Sequence, residues 1–253
     1  MPVIGLISDI HANLPALEAV LADVERSGVD ALVCLGDVVG YGPSPRECLD
    51  LIARTCEVMI RGNHEDAVLD TRLAHRFSSN ARASVQFTLS QLAEDDLDLI
   101  RLMPPLVEIG DLSLAHATFG PERYEYLYTA DQAANALSAM RTPLGAVGHT
   151  HLPSVFISRP PQTSQHGGMS TIEVKPLAPM EETLLQRGMR VILNPGSVGQ
   201  PRDGNPDASW GVLDSSRMTF QVRRVAYDVA QVQRDMARLG LPDRLGDRLR
   251  VGA

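Results

Sequence analysis

No stretch of the chain approaches the ~18 consecutive apolar residues of a membrane span, so membrane association is not expected. The first residues, MPVIGLISDIHAN, have no basic segment, and Asp9 interrupts their apolar run, so they do not read as a secretory signal. Cysteine is scarce. Cys34, Cys48 and Cys56 are odd in number and form no C-x-x-C pair, which points to reduced residues of a cytoplasmic protein rather than a disulfide framework. With no histidine near them in sequence, a thiol nucleophile is disfavoured. Basic charge is also short: 23 Lys and Arg face 31 Asp and Glu, a net charge of −8. That balance argues against a general nucleic-acid or anionic-membrane binder. A small phosphorylated substrate stays open, because bound cations reverse the sign of charge inside one cleft. Gly and Pro number 20 and 17, about 15% of the chain and too few for a low-complexity segment.

What remains is a chain with enough apolar residues, 44%, to bury a full core. At ~150 residues per domain, 253 residues lie between one domain and two. With no internal repeat and no linker, a single domain over 1–253 is expected. The first third alternates strand and helix. Val3 to Ser8 reads as a buried strand, followed by Leu14, Leu17, Leu21 and Val24 at helical spacing, with Asn13 as N-cap. A strand over Ala31 to Leu35, a helix opened by Ser44-Pro45-Arg46-Glu47, and a strand over Glu57 to Ile60 follow. This order predicts parallel strands with right-handed crossovers.

Asp66 to Met103 reads as helical, stopped by Pro104-Pro105. Leu106 to Ile109 and Leu112 to His116 flank a Gly110-Asp111 turn and predict a hairpin. Further strands are expected over 145–148, 154–157, 191–194, 210–213 and 219–225, and a last helix on Val229, Val232, Met236 and Leu239. Residues 158–189 are the least regular and read as a long loop or flap. The tail with Arg244, Arg248 and Arg250 between Asp243 and Asp247 reads as a solvated face, and His75 and His166 as solvated or structural.

Five short polar clusters follow predicted strands directly: Asp9-Ile10-His11, Gly36-Asp37, Gly62-Asn63-His64-Glu65, Ala115-His116 and Gly148-His149-Thr150-His151. Ligands of open α/β sheets bind at the carboxyl ends of strands. The clusters together offer two Asp, one Asn and four or five His, enough for two metal ions sharing a carboxylate. Imidazole, carboxylate and amide oxygen suit first-row ions such as Mn, Fe or Zn. Each piece alone is an ordinary turn; their ordered conjunction at strand ends is what carries the reading. His149 and His151, two apart, are expected to point the same way on a strand.

The ordered set Asp9-x-His11, Gly36-Asp37, Gly62-Asn63-His64-Glu65, His116 and Gly148-His149-x-His151 resembles the calcineurin-like metallophosphoesterase superfamily over about the first 200 residues. The resemblance implies an α/β protein, a four-layer α/β/β/α metallophosphoesterase sandwich. It implies two divalent transition-metal ions, Mn foremost, with Fe, Zn, Ni or Co as alternatives. One ion would be held by Asp9, His11, Asp37 and His151, the other by Asp37, Asn63, His116 and His149, with Asp37 bridging. No position of that set is missing. A hydroxide bridging the ions would attack phosphorus in line, since coordination brings the pKa of water to roughly 7. His64 would stand outside the ligand set as the catalytic residue facing the substrate, protonating the leaving oxygen or stabilising the equatorial ones.

Ile60-Arg61-Gly62-Asn63-His64-Glu65 is similar to the protein serine/threonine phosphatases and the symmetrical diadenosine tetraphosphate hydrolases, in which this Arg contacts phosphate. Those families carry an Asp-Arg pair where this chain has Gly40 and Tyr41, so the Asp that orients the histidine and the Arg that binds phosphate are both absent. Glu65 or Asp66 is the expected substitute orienter. Asn194-Pro195-Gly196-Ser197-Val198-Gly199 and Pro201-Arg202-Asp203 resemble a bacterial and archaeal branch of small phosphoesterases. Arg61 and Arg202 are candidate phosphate clamps, because guanidinium matches phosphate oxygens in fork geometry, and Tyr41 is a candidate cap of the cleft. The leading expectation is a cytoplasmic phosphoesterase acting on a small phosphodiester or nucleotide, with a homodimer left open. The alternatives are a protein phosphatase or dinucleoside polyphosphate hydrolase, and a non-catalytic scaffold as in one retromer subunit, a role at odds with the complete ligand set.

Overall fold

The computed structural model describes residues 2–159, 171–186 and 188–253. Its strands are β1 (Val3–Ile7), β2 (Ala31–Cys34), β3 (Val58–Met59), β4 (Leu106–Ile109), β5 (Leu112–Ala115), β6 (Leu144–Ala146), β7 (Ser154–Arg159), β8 (Thr171–Pro176), β9 (Glu182–Leu184), β10 (Arg190–Asn194), β11 (Ala208–Asp214) and β12 (Thr219–Val225). Its helices are α1 (Leu14–Ser27), α2 (Pro45–Thr55), α3 (Asn63–Leu69), α4 (Ser79–Gln91), α5 (Glu94–Leu102), α6 (Ala130–Ala139), α7 (Val229–Arg238) and α8 (Asp243–Leu249). The strands form two six-stranded sheets, ordered β3-β2-β1-β11-β12-β9 and β4-β5-β6-β10-β7-β8. β1, β2 and β3 are parallel, as the alternation of strand and helix predicts.

Period-two alternation along the inner strands builds the layers. From β2, Leu32 and Cys34 face α1 and α2, packing with Leu17, Val20, Leu49 and Ile52. Val33 and Leu35 face the second sheet, meeting Leu114, Ala146, Val155 and Leu193. On the far side of that sheet, Val147, Phe156 and Ile192 bury Ala133, Ala136 and Leu137 of α6. The result is helices, sheet, sheet, helix: the α/β/β/α sandwich. Asn13 caps α1, accepting from the Ala16 N–H at 3.2 Å. No described helix is long and apolar enough to cross a membrane.

Four expectations change. The segment 66–103 is not one helix. It runs as α3, a 3-10 turn over Leu73–Arg76, α4 and α5, because Ser78 caps a new helix at Ala81 and Asp96 accepts from the Ala93 N–H at 2.7 Å to start another. Within 158–189 the described residues are largely strand rather than loop: β7 runs on to Arg159 and pairs with β8, and β9 adds to the edge of the first sheet. Residues 160–170, His166 among them, and residue 187 lie outside the described residues. The tail is not only a solvated face: α8 packs Leu245 and Leu249 on Val232 and Met236 of α7. Nor are His149 and His151 on a strand; they follow β6 in a turn with φ of 64° and 61°.

Candidate metal centre

The clusters read from the sequence meet at one place. Asp9 and His11 follow β1, Asp37 follows β2, Asn63 opens α3 after β3, His116 follows β5, and His149 and His151 follow β6. Nine non-glycine residues among those described have positive φ, and seven lie here: Asp9, His11, Ala12, Asp37, Tyr41, His149 and His151. Left-handed backbone at such residues costs on the order of 1–3 kcal/mol each and persists where the surroundings over-determine it. Those surroundings are hydrogen-bonded. The Asp9 and His11 N–H groups donate to the Gly36 and Asp37 carbonyls at 3.0 and 2.9 Å. Glu65 is buried and accepts from the N–H groups of Asp37, Val39 and Gly62 at 2.8–3.0 Å. Asn194 donates to the Gly148 carbonyl at 2.8 Å, and the Ser197 hydroxyl to the Asp9 carbonyl at 2.8 Å. The Asn-Pro-Gly-Ser segment thus braces the Asp9 and His149 loops from behind.

The histidines are aimed. His11, His116 and His151 donate Nδ1–H to the carbonyls of Val39, Leu35 and Gln200 at 3.1, 2.8 and 2.5 Å. That fixes the tautomer and leaves the Nε2 lone pair for the centre, the arrangement in which imidazoles hold metal ions. His11 Nε2 and His151 Nε2 lie 3.2 Å apart, as do His116 Nε2 and His149 Nδ1. Asp9 Oδ1 is 3.3 Å from His151 Nε2. Asp37 Oδ2 is 3.3 Å from His116 Nε2 and 3.8 Å from His11 Nε2, so this carboxylate reaches both histidine pairs, and it lies closer to His116 than Asp9 Oδ1, at 4.0 Å, does. Asn63 Oδ1 lies 3.1 Å from His116 Nε2. Lone pairs converging this closely in a buried site suit a cation, and the N/O donor set fits divalent first-row ions. Asp9, His11 and His151 form one candidate ligand group, Asp37, His116 and His149 a second, and His11, Asp37 and His64 a third that shares two residues with the others.

Burial would raise the Asp9 and Asp37 carboxyls, but the facing histidines, His151 and His116 foremost, hold both below the usual carboxylate range. Burial pushes His11 and His151 below the ordinary imidazole value and His149 down to about 3, keeping them in the neutral form a ligand needs. At His116 the Asp37 and Asp9 charges outweigh burial and raise it to about 10, so this ring would give its Nε2 lone pair to a cation only by releasing a proton. Burial and the Asp37 charge push Glu65 up to about 7.

His64 is buried beside the centre, its backbone N–H donating to Asp37 Oδ1 at 2.9 Å and its burial lowering the imidazole to about 4. Neither expected orienter reaches it: Glu65 is spent on backbone N–H groups, and Asp66 on Arg61 and Tyr124. Packing positions it instead. Tyr41, His11 and Phe77 surround the ring at centroid distances of 4.5, 4.9 and 5.0 Å. Gly40, at φ +87°, lies so close that a Cβ there would run into the imidazole, so no side chain fits at that position. Tyr41 shares its ring between His11 and the apolar patch of α7 and α8. Arg61 pairs with Asp66 and donates to the Met103 carbonyl at 3.2 Å. Arg202 sits behind His151, its Nη2 donating to Gln200 Oε1 at 2.9 Å and its buried Nε without a partner. The three cysteines are free, with burial raising their thiols, Cys56 to about 12.

The segment after β5 supplies groups the sequence reading passed over. Arg123 pairs with Asp66 at 2.9 Å, Tyr124 bonds the same carboxylate, and Tyr126 stacks on His149. The one signal in the sequence was Tyr124-x-Tyr126-x-Tyr128, in a chain with five tyrosines.

The model of the calcineurin-like phosphoesterase family matches residues 2–153. A metallophosphoesterase crystal structure from Sphaerobacter thermophilus superposes with a TM-score of 0.83 at 36% identity, covering 100% of this chain and 99% of that one. The phosphodiesterase YfcE of Escherichia coli is 28% identical over 89% of this chain and 94% of its own. A symmetrical bis(5'-nucleosyl)-tetraphosphatase of Vibrio cholerae is 32% identical over 54% of this chain and 52% of its own. Family model and fold agree: the chain belongs to the calcineurin-like phosphoesterases, hydrolases of phosphoric esters.

Proposed function

We propose that the protein is a phosphoesterase dependent on two divalent metal ions, Mn foremost, that cleaves a small phosphodiester or nucleotide in a reducing, cytoplasmic setting. The observation that carries this reading is the Asp37 carboxylate reaching both histidine pairs, His11 with His151 and His116 with His149. Asp9, His11, Asp37 and His151 would hold one ion, and Asp37, Asn63, His116 and His149 the other. When bound, the ions supply an acidified water and neutralise charge on the phosphoryl oxygens. The chain's own residues do the rest. Glu65 and the carbonyls of Leu35, Val39 and Gln200 hold the donors in place. Arg202, with a free Nε, clamps the phosphoryl group. Arg61 serves the same group through its remaining donors, since Nε and Nη1 are engaged. His64 offers its ring to the leaving oxygen or an equatorial one. Tyr41 closes the cleft beside it.

A dinucleoside polyphosphate hydrolase is the second reading, favoured by the Arg61-to-Glu65 run and the partial similarity to the tetraphosphatase. A protein phosphatase is disfavoured by Gly40 and Tyr41. The test is a panel of phosphomonoesters, diesters and dinucleoside polyphosphates with the Mn-loaded protein. Turnover of a diester or nucleotide is expected, and no turnover of any ester would overturn the reading.

A further inference from the structure

We propose that Tyr126 and Tyr128 form a stacking platform for a nucleobase carried by the phosphate ester. The inference rests on the phosphoesterase reading above and names the part of the substrate, beyond the phosphoryl group, that the protein recognises. Tyr126 lies on the ring of His149, with centroids 4.1 Å apart and planes 22° from parallel. Tyr128 continues the stack, 5.4 Å from Tyr126 and tilted by only 6°. They are the only exposed aromatic side chains among the described residues, at 40% and 49%, and both belong to a stack that ends on a proposed metal ligand.

The platform is set before any ligand arrives. Residues 120–128 form no helix or strand, yet both ends of the tyrosine run are tied down. Tyr124 is bonded to Asp66. At the other end Gln132 accepts from the N–H groups of Tyr128 and Thr129 at 2.9 and 3.0 Å, within the cap of α6. Between them Leu127 is buried against Ala133, Ala136 and Leu137, which turns Tyr126 and Tyr128 outward. Neither outward hydroxyl makes a hydrogen bond among the described residues, so packing alone sets the rings, and Tyr128, at the end of the stack, offers its outer face to a base. Arg202 lies at the same centre, its backbone N–H donating to the His151 carbonyl at 3.4 Å. A phosphate held at the centre therefore has its attached planar group beside the rings that stack on His149. Stacking on tyrosine is tolerant of which base is present, so the platform selects a class rather than one nucleoside.

The test measures binding of phosphonates, whose C–P bond separates affinity from turnover, to the Mn-loaded protein. Adenosine 5'-phosphonate, phenylphosphonate and propylphosphonate are compared by calorimetry with wild type, Tyr128→Ala, Tyr128→Phe and Tyr126→Phe. Tyr128 is the main probe because it touches Tyr126 and not His149. Tyr128→Ala is expected to weaken the adenosine compound about tenfold relative to propylphosphonate, and both Phe variants to retain wild-type selectivity. An equal change for all three ligands, or none for the adenosine compound, would overturn the platform. A loss confined to phenylphosphonate would overturn the nucleobase assignment. Failure of the phosphoesterase reading would show separately, as absence of ester hydrolysis with phosphonate selectivity intact.

Discussion

Six of the seven proposed metal ligands are buried, and each of the seven sits just beyond the carboxyl end of a strand. The groups around the mouth of the cleft, Arg61, Arg123, Tyr126, Tyr128 and Arg202, are half-buried or exposed and come from irregular segments. The two regions are held differently. At the centre, backbone groups fix the side chains: carbonyls take the Nδ1–H of three histidines, and N–H groups take Glu65 and Asp9. At the mouth, side chains hold one another, with Asp66 gathering Arg61, Arg123 and Tyr124. A centre set by backbone tolerates little change; a mouth set by side chains is where specificity varies within a common fold.

Variants at the two regions should therefore fail in different ways. At the centre, His64→Gln should keep its metals, since it supplies no ligand in the proposed set. With alkoxide leaving groups its rate should drop about 10²–10⁴-fold, the range of one acid–base residue. Nitrophenolate esters, which need little protonation, should lose least. Equal losses would assign His64 to the equatorial oxygens instead. Glu65→Gln keeps the size but weakens three backbone hydrogen bonds, so metal affinity, read by competition with a chelator, should fall about 10–100-fold. Unchanged affinity would show that the brace is dispensable.

At the mouth, Arg202→Ala should leave metal content intact and weaken inhibition by inorganic phosphate by about 1.5–3 kcal/mol, the worth of a charge-assisted contact. Arg61→Ala should weaken it less, because its guanidinium is already committed to Asp66 and Met103. The reverse order would return the leading clamp role to Arg61.

The smallest effect on catalysis is expected far from both regions. Burial would raise the Asp23 carboxyl, but Arg223, with Trp210 and Arg26, holds it below the usual carboxylate range. A depressed carboxyl contributes stability at neutral pH that is lost as pH falls through its folded-state pKa. Asp23→Asn should lower stability by about 1–3 kcal/mol at pH 7 with activity unchanged, and the gap should close below about pH 4. A gap that persists in acid would assign the loss to packing.

The same division explains what was legible in the sequence. The proposed ligands at strand ends come as short local motifs, and the structure brings the seven residues together. Parallel β1, β2 and β3 were legible from the alternation of apolar runs. The breaks between α3, α4 and α5 depend on caps at Ser78 and Ala93 inside a run of good helical spacing, which periodicity alone does not show. β8 and β9 are edge strands with only Thr183 buried between them, so they carry little apolar signal. The position of Gly40 against His64 and the stack of Tyr126 on His149 arise from packing between distant segments. No local pattern encodes either.

The central claim is that Asp37 is shared by two metal sites. Its direct test is elemental analysis of the Mn-loaded wild type, Asp37→Asn and Asp9→Asn proteins after dialysis. The account predicts two ions per chain in the wild type, reduced occupancy of both sites in Asp37→Asn, and loss mainly of one in Asp9→Asn. A wild type that never holds more than one ion, or an Asp37→Asn protein loaded as fully as the wild type, would contradict it.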